Sequence, residues 1–306
     1  MAEEPSAKSH TQRWAYRHLY SDKIFSLASS LYPFLGRIGF QAVSRTVAWV
    51  YAITQPAVRK VVRENLQLLT KRPMTDADAI KVFVNFGATI ADYVAVGVMP
   101  QEQAVELCQN RKDGLGSLLT ATEGGRGVIL ATAHYSFFEF GAVVSSSLGV
   151  PLTIATLSEP SAELHAWRAK WRERWNTGTV EIGADPFSSV QVIRALQEGR
   201  SIAMLVDRPI PEHGLPVDLP NGSTPFSTSP AILASMTGCP IVPVIIRRLP
   251  GGRYRAIAKP PISVKPANRE ERKAEIERCT RLLAASLMEE IYEDPHQWYQ
   301  FVPVGL

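Results

Sequence analysis

Two residues near the middle of the chain have the types and the spacing for acid–base chemistry. His134 follows the apolar run 127–133, and Glu139 comes five residues later. A histidine titrates near neutral pH and can remove a proton from an alcohol, while a carboxylate on its other ring nitrogen fixes the tautomer and stabilises the imidazolium. We therefore predict that His134 is a general base and that Glu139 is its partner.

The elements around this pair place it where such chemistry is common. Residues 127–133 are aliphatic and β-branched and predict a buried strand, and residues 138–148 predict a helix that stops at Gly149. His134 then lies at the carboxyl end of a strand, where the chain turns into a helix. Open α/β sheets bind their ligands at that end.

A second pair with the same spacing, His213 and Asp218, competes for this role. It lies among Pro209, Pro211 and Pro216, and no strand precedes it. Proline at this density predicts an irregular loop, so we interpret His213 as a solvated loop residue and favour the first pair.

The composition predicts an ordinary globular protein. The chain has 306 residues, of which 45% are hydrophobic and 20% charged, enough for one large domain or one and a half. No signal peptide is visible in the polar first 23 residues. Its three cysteines are far apart and have no metal-ligand spacing, which predicts reduced thiols. They are Cys108, Cys239 and Cys279.

Charge is distributed unevenly along the chain. Residues 1–72 hold 11 Lys and Arg against 4 Asp and Glu, and the remainder holds 22 against 25. A basic amino-terminal part indicates an anionic partner, either a membrane or a nucleic acid. Nucleic acid is disfavoured because long apolar side chains interrupt the basic region and no recognised nucleic-acid module is present.

The segment from Lys23 to Arg59 is unusually apolar. Its longest uncharged run, Ile24 to Gly36, has 13 residues and contains Pro33. A membrane span needs about 20 residues, so this is not a simple transmembrane helix. Two short aromatic-rich helices edged with arginine would suit a membrane interface, and a helical hairpin facing the core is the alternative.

The rest of the chain alternates between strand and helix patterns. This alternation predicts an α/β fold with a mostly parallel central sheet flanked by helices. We divide the chain into a polar tail (1–22), a helical membrane-associating region (23–110) and an α/β core (111–306). The strands are predicted near 127–133, 152–157, 179–182, 201–206, 241–247 and 253–258, and the helices near 138–148, 160–176, 187–198, 228–237 and 267–293.

The helix predicted after Pro160 carries a tryptophan stripe and three arginines. Tryptophans four residues apart indicate core packing. The arginines suit an oxyanion or a phosphate, with a solvated face as the alternative. The tryptophans are Trp167, Trp171 and Trp175, and the arginines are Arg168, Arg172 and Arg174.

Asp207 and Arg208 follow the strand predicted at 201–206. They are candidate site residues because they also lie at the carboxyl end of a strand. An ion pair that holds a loop is the alternative. No Gly-x-Ser-x-Gly, His-Glu-x-x-His, Walker or Gly-x-Gly-x-x-Gly motif accompanies them, which disfavours hydrolase-elbow, zinc-peptidase and nucleotide sites.

Taken in order, these blocks resemble the lysophospholipid acyltransferase superfamily. The chain is most similar there to the lipid A late acyltransferase (lauroyl/myristoyl acyltransferase) family and to related phosphatidylinositol mannoside acyltransferases. The resemblance spans most of the chain. The blocks that carry it are His134-x4-Glu139, Arg172-x-Arg174, Asp207-Arg208, Ser229–Ala234, Gly238–Val244 and Pro295–Trp298.

The resemblance implies a glycerolipid acyltransferase-like fold and a membrane-associated O-acyltransferase. The donor would be a thioester of acyl carrier protein or coenzyme A, and the acceptor a hydroxyl of a lipid or glycolipid. Arg172 or Arg174, with Arg168 beside them, would stabilise the oxyanion or the donor phosphate. Asp207 and Arg208 would shape the acceptor side.

The resemblance also implies a location and a set of partners. The protein would lie at the cytoplasmic face of the inner or plasma membrane, peripheral or monotopic, on an anionic surface. It would need no cofactor, no metal and no nucleic acid. Two alternatives stay open: a thioesterase or other hydrolase of the same fold, and a non-catalytic membrane-binding protein.

Overall fold

The computed structural model describes residues 22–110, 114–158, 161–182, 187–209, 214–265, 268 and 270–305. The predicted α/β fold is confirmed: a mostly parallel central sheet has helices on both faces, and helices form the amino-terminal region. The helices that precede the sheet are α1 (Asp22–Thr54), α2 (Pro56–Leu68), α3 (Asp76–Val98), α4 (Gln101–Glu106) and α5 (Gly116–Thr122).

Strands and helices alternate after α5, as predicted. The strands are β1 (Ile129–Thr132), β2 (Leu152–Thr156), β3 (Thr177–Glu181), β4 (Ser201–Leu205), β5 (Gly214–Leu219), β6 (Gly222–Ser227), β7 (Ile241–Arg248) and β8 (Tyr254–Ala258). The helices among and after them are α6 (Phe140–Ser147), α7 (Ala162–Glu173), α8 (Ser188–Gln197), α9 (Ser229–Thr237) and α10 (Glu271–Glu293).

The central sheet has six strands in the order β3-β2-β4-β1-β7-β8, parallel except for the β7–β8 pair. β1 lies between β4 and β7, and all four of its residues are buried. Side chains alternate between two hydrophobic clusters: Ile129 and Ala131 pack on one face, and Leu130 on the other. A strand buried on both faces explains the continuous apolar run before His134.

The segment predicted as an irregular loop, around Asp218, is instead the antiparallel hairpin β5–β6. The prediction was wrong because proline was taken to exclude a strand. Pro216 and Pro225 lie opposite each other in this hairpin, and proline is tolerated there because each strand of a two-stranded hairpin is an edge strand. Asp218 is exposed in β5, and its proposed partner His213 lies outside the described residues.

Helix α1 is interrupted at Gly36, whose φ of 59° and ψ of 178° are not helical. The helical stretches on either side correspond to the two predicted short helices. The second stretch packs closely on α3, where a Cβ added to Gly87 would lie 2.6 Å from the Ser44 carbonyl oxygen. Arg37 of α1 also binds the buried Asp92 of α3 at 2.9 Å. α1 is therefore attached to the core by packing and by an ion pair.

Helix α3 begins with a capping box, in which Thr75 and Asp78 exchange side-chain and backbone hydrogen bonds. Among the described helices, α3 alone is long and apolar enough to cross a membrane by length and composition. However, 67% of its apolar window is buried inside the protein. In this fold α3 is a core helix.

The carboxyl-terminal segment, residues 295–305, returns to the end of β1. Trp298 forms a bridge to Tyr135, and the Tyr299 backbone N–H donates to the His134 carbonyl oxygen at 2.8 Å. Asn65 of α2 holds the same segment by donating to the Gln300 carbonyl at 2.9 Å. The end of the chain therefore supports the turn that carries His134.

Candidate active site

The turn after β1 has a conformation that few residues adopt. Ser136 has a φ of 49°, in the left-handed region that non-glycine residues rarely occupy. The carboxyl-terminal segment holds this turn, because the Ser136 N–H donates to the Gln297 carbonyl at 2.8 Å. Strained backbone persists where surrounding contacts fix it, commonly at functional sites.

The carboxylate on the ring of His134 is Asp207, not Glu139. His134 Nδ1 lies 2.7 Å from Asp207 Oδ1, and the His134 backbone N–H donates to both carboxylate oxygens at 3.0–3.1 Å. β1 and β4 are adjacent parallel strands, so the residues just beyond them meet at one edge of the sheet. With Nδ1 bonded to Asp207, Nε2 is the ring nitrogen left to act as a base. The predicted contact between His134 and Glu139 was wrong.

Asp207 is fully buried and receives hydrogen bonds from the carboxyl-terminal segment. Trp298 Nε1 donates to Oδ2 at 2.8 Å, and Gln300 Nε2 donates to the same oxygen at 2.7 Å. Burial alone would raise the pKa of Asp207, but His134, Arg208 and the Trp298 N–H bring that pKa below its ordinary value. Asp207 is therefore an ionised carboxylate with a fixed orientation.

The surroundings of His134 favour its neutral form. Burial lowers its pKa from the ordinary value of 6.5, and the nearby positive charge of Arg208 lowers it further, against the opposing effect of Asp207. The side chain is 23% exposed and lines the main cavity, so it is accessible to a substrate. A neutral imidazole with one nitrogen oriented and the other accessible can accept a proton.

Glu139 forms a separate charge cluster beside His134. Arg172 Nη2 lies 3.0 Å from Glu139 Oε1, and Arg168 Nη1 lies 3.9 Å from it. Burial opposes ionisation of Glu139, but the two arginines and the Tyr93 hydroxyl lower its pKa below the ordinary value. The cluster carries two positive charges and one negative charge at the cavity wall, which can attract an anionic group.

The predicted arginines differ in where they lie. Arg168 and Arg172 line the cavity, and Arg172 also donates to the Thr179 hydroxyl at 3.2 Å. Arg174 lies elsewhere: it donates to the Met99 carbonyl oxygen and its guanidinium lies 5.6 Å from the Trp175 ring centre. Because residues two positions apart on a helix point in nearly opposite directions, Arg172 and Arg174 do not share a site. Arg174 does not line the cavity, and its role as a substrate contact stays a prediction.

Arg208 also lies at the cavity wall. Its Nε donates to the Gln300 side-chain oxygen at 3.1 Å, and its Nη2 donates to the Tyr299 carbonyl oxygen at 3.2 Å. The carboxyl-terminal segment therefore orients both Asp207 and Arg208. Asp207 and Arg208 were predicted to shape the acceptor side, and the structure brings Asp207 to the base itself.

One cavity of about 710 Å³ contains this chemistry. Its lining is mostly aliphatic and aromatic. A volume in this range suits a small-molecule ligand, and a mostly apolar wall suits hydrocarbon. The polar and charged residues at its centre are Thr132, His134, Ser136, Glu139, Arg168, Arg172 and Arg208.

Three site residues were missed from the sequence. Ser136 lines the cavity with a buried hydroxyl that has no hydrogen-bond partner among the described residues. Trp298 and Gln300 hold Asp207 from more than 90 positions away along the chain. The adjacency of Ser136 to His134 was a usable signal, whereas nothing local to Trp298 or Gln300 indicates which carboxylate they bind.

The cysteines lie apart as free, buried thiols. Across the described ranges, with their gaps, no group of three or more His, Cys, Asp and Glu side chains could hold a metal ion.

Comparison with known families gives one finding for nearly the whole chain. The sequence profile described as bacterial lipid A biosynthesis acyltransferase matches residues 10–303. The comparison with curated proteins gives no match. The profile match includes every site residue described above.

Proposed function

The chain belongs to the bacterial lipid A biosynthesis acyltransferase family, and we propose that it transfers a fatty acyl chain from a thioester to a hydroxyl of a lipid or glycolipid acceptor. The family consists of acyltransferases that act on a lipid acceptor and need no cofactor. The thioester donor, from acyl carrier protein or coenzyme A, and the residue roles are our proposal. The observation that carries it is the pairing of His134 with Asp207 at the centre of an apolar cavity.

In the proposed reaction, His134 Nε2 takes the proton of the acceptor hydroxyl as its oxygen attacks the thioester carbonyl. Asp207 fixes the Nδ1–H tautomer and stabilises the imidazolium that forms. The tetrahedral intermediate collapses, the carbon–sulfur bond breaks, and the imidazolium returns the proton to the departing thiolate. The products are the acylated lipid and the free thiol, and no acyl-enzyme is needed.

Two groups are proposed to stabilise the oxyanion of the intermediate. The Ser136 hydroxyl is buried at the cavity wall two residues after the base, with no partner among the described residues. Arg168 lies on the same wall and adds positive charge. Donors that are already oriented in a water-poor site stabilise developing negative charge more than they would in water. In place of its predicted direct role, Glu139 is proposed to hold Arg168 and Arg172 at this wall.

The acyl chain of the donor is proposed to lie on the face of the sheet that α5 and α6 cover. There the cavity is lined by buried aliphatic side chains, including Leu118, Leu130, Val144 and Leu152. Each methylene group transferred from water to such a lining contributes about 0.8 kcal/mol. This support applies to a long saturated chain and not to a polar substrate.

Membrane association is proposed through α1, at the cytoplasmic face. The outer side of this helix exposes large apolar side chains, namely Leu31, Phe34, Leu35, Ile38, Val43, Val47, Trp49, Val50 and Ile53. Exposed apolar side chains in this number on one helix indicate an interaction site. The excess of basic residues in positions 1–72 would add attraction to an anionic bilayer.

The proposal is tested by incubating the purified full-length protein with radiolabelled acyl thioesters of acyl carrier protein and coenzyme A and a bacterial lipid A precursor. We expect labelled lipid from wild type and a loss of ~10²–10⁴ in rate for His134→Ala, the usual effect of removing a general base. His165→Ala is the matched control, because that histidine pairs with Glu181 at the surface. Free fatty acid without labelled lipid would indicate a hydrolase, and equal rates for His134→Ala and wild type would refute the base.

A further inference from the structure

The cavity extends along both faces of the central sheet. Two neighbouring residues of β4 show that the cavity reaches both faces, because both line it. Ala203 belongs to the hydrophobic cluster under α5 and α6, and Met204 belongs to the cluster under α8 and α9. The two parts meet beyond the carboxyl ends of the strands, where His134 lies. We name the first part the closed arm (Leu115, Leu118, Leu130, Ala142, Val144 and Leu152) and the second the open groove (Ala155, Ser189, Val192, Met204, Ile232 and Leu233).

The two parts differ in their access to solvent. The residues of the closed arm are all buried. The open groove runs between α8 and α9, and large apolar side chains stand exposed along its edges. Leu157, Ile232 and Met236 line the cavity and are exposed, Met236 to 56%. At the start of α8, Phe187 and Val190 are exposed as well. The described part of the groove is lined by aliphatic and hydroxyl side chains, and Arg208 lines the same cavity.

This proposal rests on the proposed acyl transfer, in which two lipids must meet at one base. We propose that the open groove binds a hydrocarbon chain of the acceptor lipid while the donor acyl chain occupies the closed arm. The acceptor hydroxyl then reaches His134 from one face of the sheet and the thioester carbonyl from the other. Arrangement of both reactants around one base removes most of the entropic cost of bringing them together.

The difference in solvent access indicates which lipid chain binds in the open groove and which binds in the closed arm. A membrane lipid can slide sideways into a groove that is open along its length and edged with apolar side chains, because its chain stays in contact with apolar surface throughout. A donor chain delivered from a soluble carrier gains most from complete removal from water, which the closed arm provides. The exposed apolar edge therefore fits the acceptor and not the donor.

Photo-crosslinking with two probes tests the assignment without requiring turnover. The first probe is dodecyl glucoside with a diazirine at the chain end, and the second is a non-hydrolysable tetradecyl pantetheine thioether with the same group. We expect the glucoside to label peptides of α8 and α9 and the thioether to label peptides of α5 and α6. Label from the thioether in the open groove, or no glucoside label there, would overturn the inference.

A pair of variants makes the test specific. Ser189→Trp fills the open groove from an exposed position, and Gln191→Trp adds the same bulk to another exposed position of α8 that does not line the cavity. We expect Ser189→Trp to weaken glucoside labelling about tenfold, the effect of leaving two methylene groups in water. Labelling should be unchanged in Gln191→Trp, and thioether labelling unchanged in both.

If Ser189→Trp has a lowered melting temperature, Ile232→Trp on the facing helix α9 is used in its place. Equal glucoside labelling of the filled and control variants would overturn the assignment. Acyl transfer by wild type is measured separately: absence of transfer with the expected labelling would refute the proposed function and the role of acceptor, while binding of a lipid chain in the open groove would stand. Acyl transfer without the expected labelling pattern would refute the groove assignment and leave the proposed function standing.

Discussion

At the scale of single residues, Asp207 decides what His134 can do. The carboxylate accepts hydrogen bonds from the His134 backbone, from Trp298 and from Gln300, and it faces the ring at 2.7 Å. Each of these donors requires an acceptor, so only an ionised carboxylate satisfies all of them. The same contacts that orient Asp207 therefore also orient the His134 ring.

Asp207→Asn should abolish most of the acyl transfer. The amide NH₂ would place a donor against the donors of Trp298 and Gln300, or against the ring of His134, and the fixed tautomer would be lost. We expect kcat/KM to fall by ~10²–10⁴, as for loss of the base itself. Steady-state rates with a thermal melt of the same sample measure this, and a rate within threefold of wild type would contradict the dyad.

Glu139→Gln should act mainly on stability. It leaves the buried Arg172 and the half-buried Arg168 without their carboxylate. Breaking a buried ion pair costs about 3–5 kcal/mol of folding free energy. Urea unfolding of the variant beside wild type measures the difference. The control is Glu181→Gln, which breaks the surface pair with His165 and should change the unfolding midpoint little. Equal stability of Glu139→Gln and wild type would mean that the arginines are held by other contacts.

Arg208→Gln should move the acidic limb of the pH–rate profile to higher pH. The base is active when neutral, so kcat/KM falls as the pH drops through the pKa of His134. Burial and then Arg208 lower that pKa, and removal of the positive charge favours the imidazolium and raises it. Arg208→Lys keeps the charge and should keep the limb near the wild-type pH. An acidic limb unmoved in both variants would exclude this influence of Arg208.

The residue scale also shows what spacing can predict. His134 was found because a strand-end histidine is a local pattern, and Asp207 was recognised as a strand-end carboxylate by the same argument. The two residues pair because β4 lies beside β1 in the sheet. Strand order is not a local property, so the pairing could not be predicted from spacing. Glu139 was preferred because it is close in sequence, yet the helix that begins at Phe140 turns it towards Arg172 of α7.

At the scale of elements, the strands and helices of the core could be predicted within a few residues. Most strands of the central sheet are short, mainly apolar runs between turn residues, so their pattern does not depend on distant contacts; β3, with the sequence TGTVE, is the exception. The hairpin β5–β6 was missed although Asn221-Gly222 is a hairpin signal. The path of residues 298–305 could not be predicted, because it depends on contacts with β1, Asp207 and α2.

Helix α6 offers a test of the closed arm. Gly141 lines the cavity, and a Cβ built on it would meet no atom within 4 Å. Gly141→Leu should therefore place its side chain in free space, and the substitution favours a helix by up to about 1 kcal/mol. We expect the preferred donor chain to shorten, measured as kcat/KM over acyl thioesters of increasing length. Gly141→Ala is the control, with a smaller shift, and an unchanged preference would place the acyl chain elsewhere.

At the scale of the whole molecule, charge and apolar surface lie at the same end of the chain. The basic residues of positions 1–72 and the exposed apolar side of α1 are neighbours in sequence, while α3 packs beneath α1 and carries the cavity wall at Phe86 and Tyr93. A bilayer bound by α1 would thus be one helix away from the cavity. The sequence left open whether this segment inserts or packs on the core. In the structure one side of α1 packs on α3 while another stays exposed.

This geometry makes the membrane face testable by point substitutions instead of truncation. Removal of α1 would also remove Arg37 from the buried Asp92 and expose α3, so a truncated protein would report on folding as well as on binding. Phe34 and Ile38 are each 87% exposed, so their replacement by Asp should leave the melting temperature unchanged. Each change removes a side chain worth about 1.5–3 kcal/mol of burial in lipid, which predicts at least tenfold weaker binding to anionic vesicles.

Thr46→Asp provides the matched control, because it adds the same charge to an exposed position of α1 without removing an apolar group. Its binding should weaken by no more than the electrostatic effect, about 1 kcal/mol per charge near the surface, and added salt should reduce that difference. Vesicle sedimentation at low and high salt, with neutral and anionic lipid, separates the two contributions. If Phe34→Asp and Ile38→Asp bind as Thr46→Asp does, the apolar side of α1 does not enter the bilayer. If neutral and anionic vesicles bind wild type equally at low salt, the basic residues do not contribute to membrane attachment.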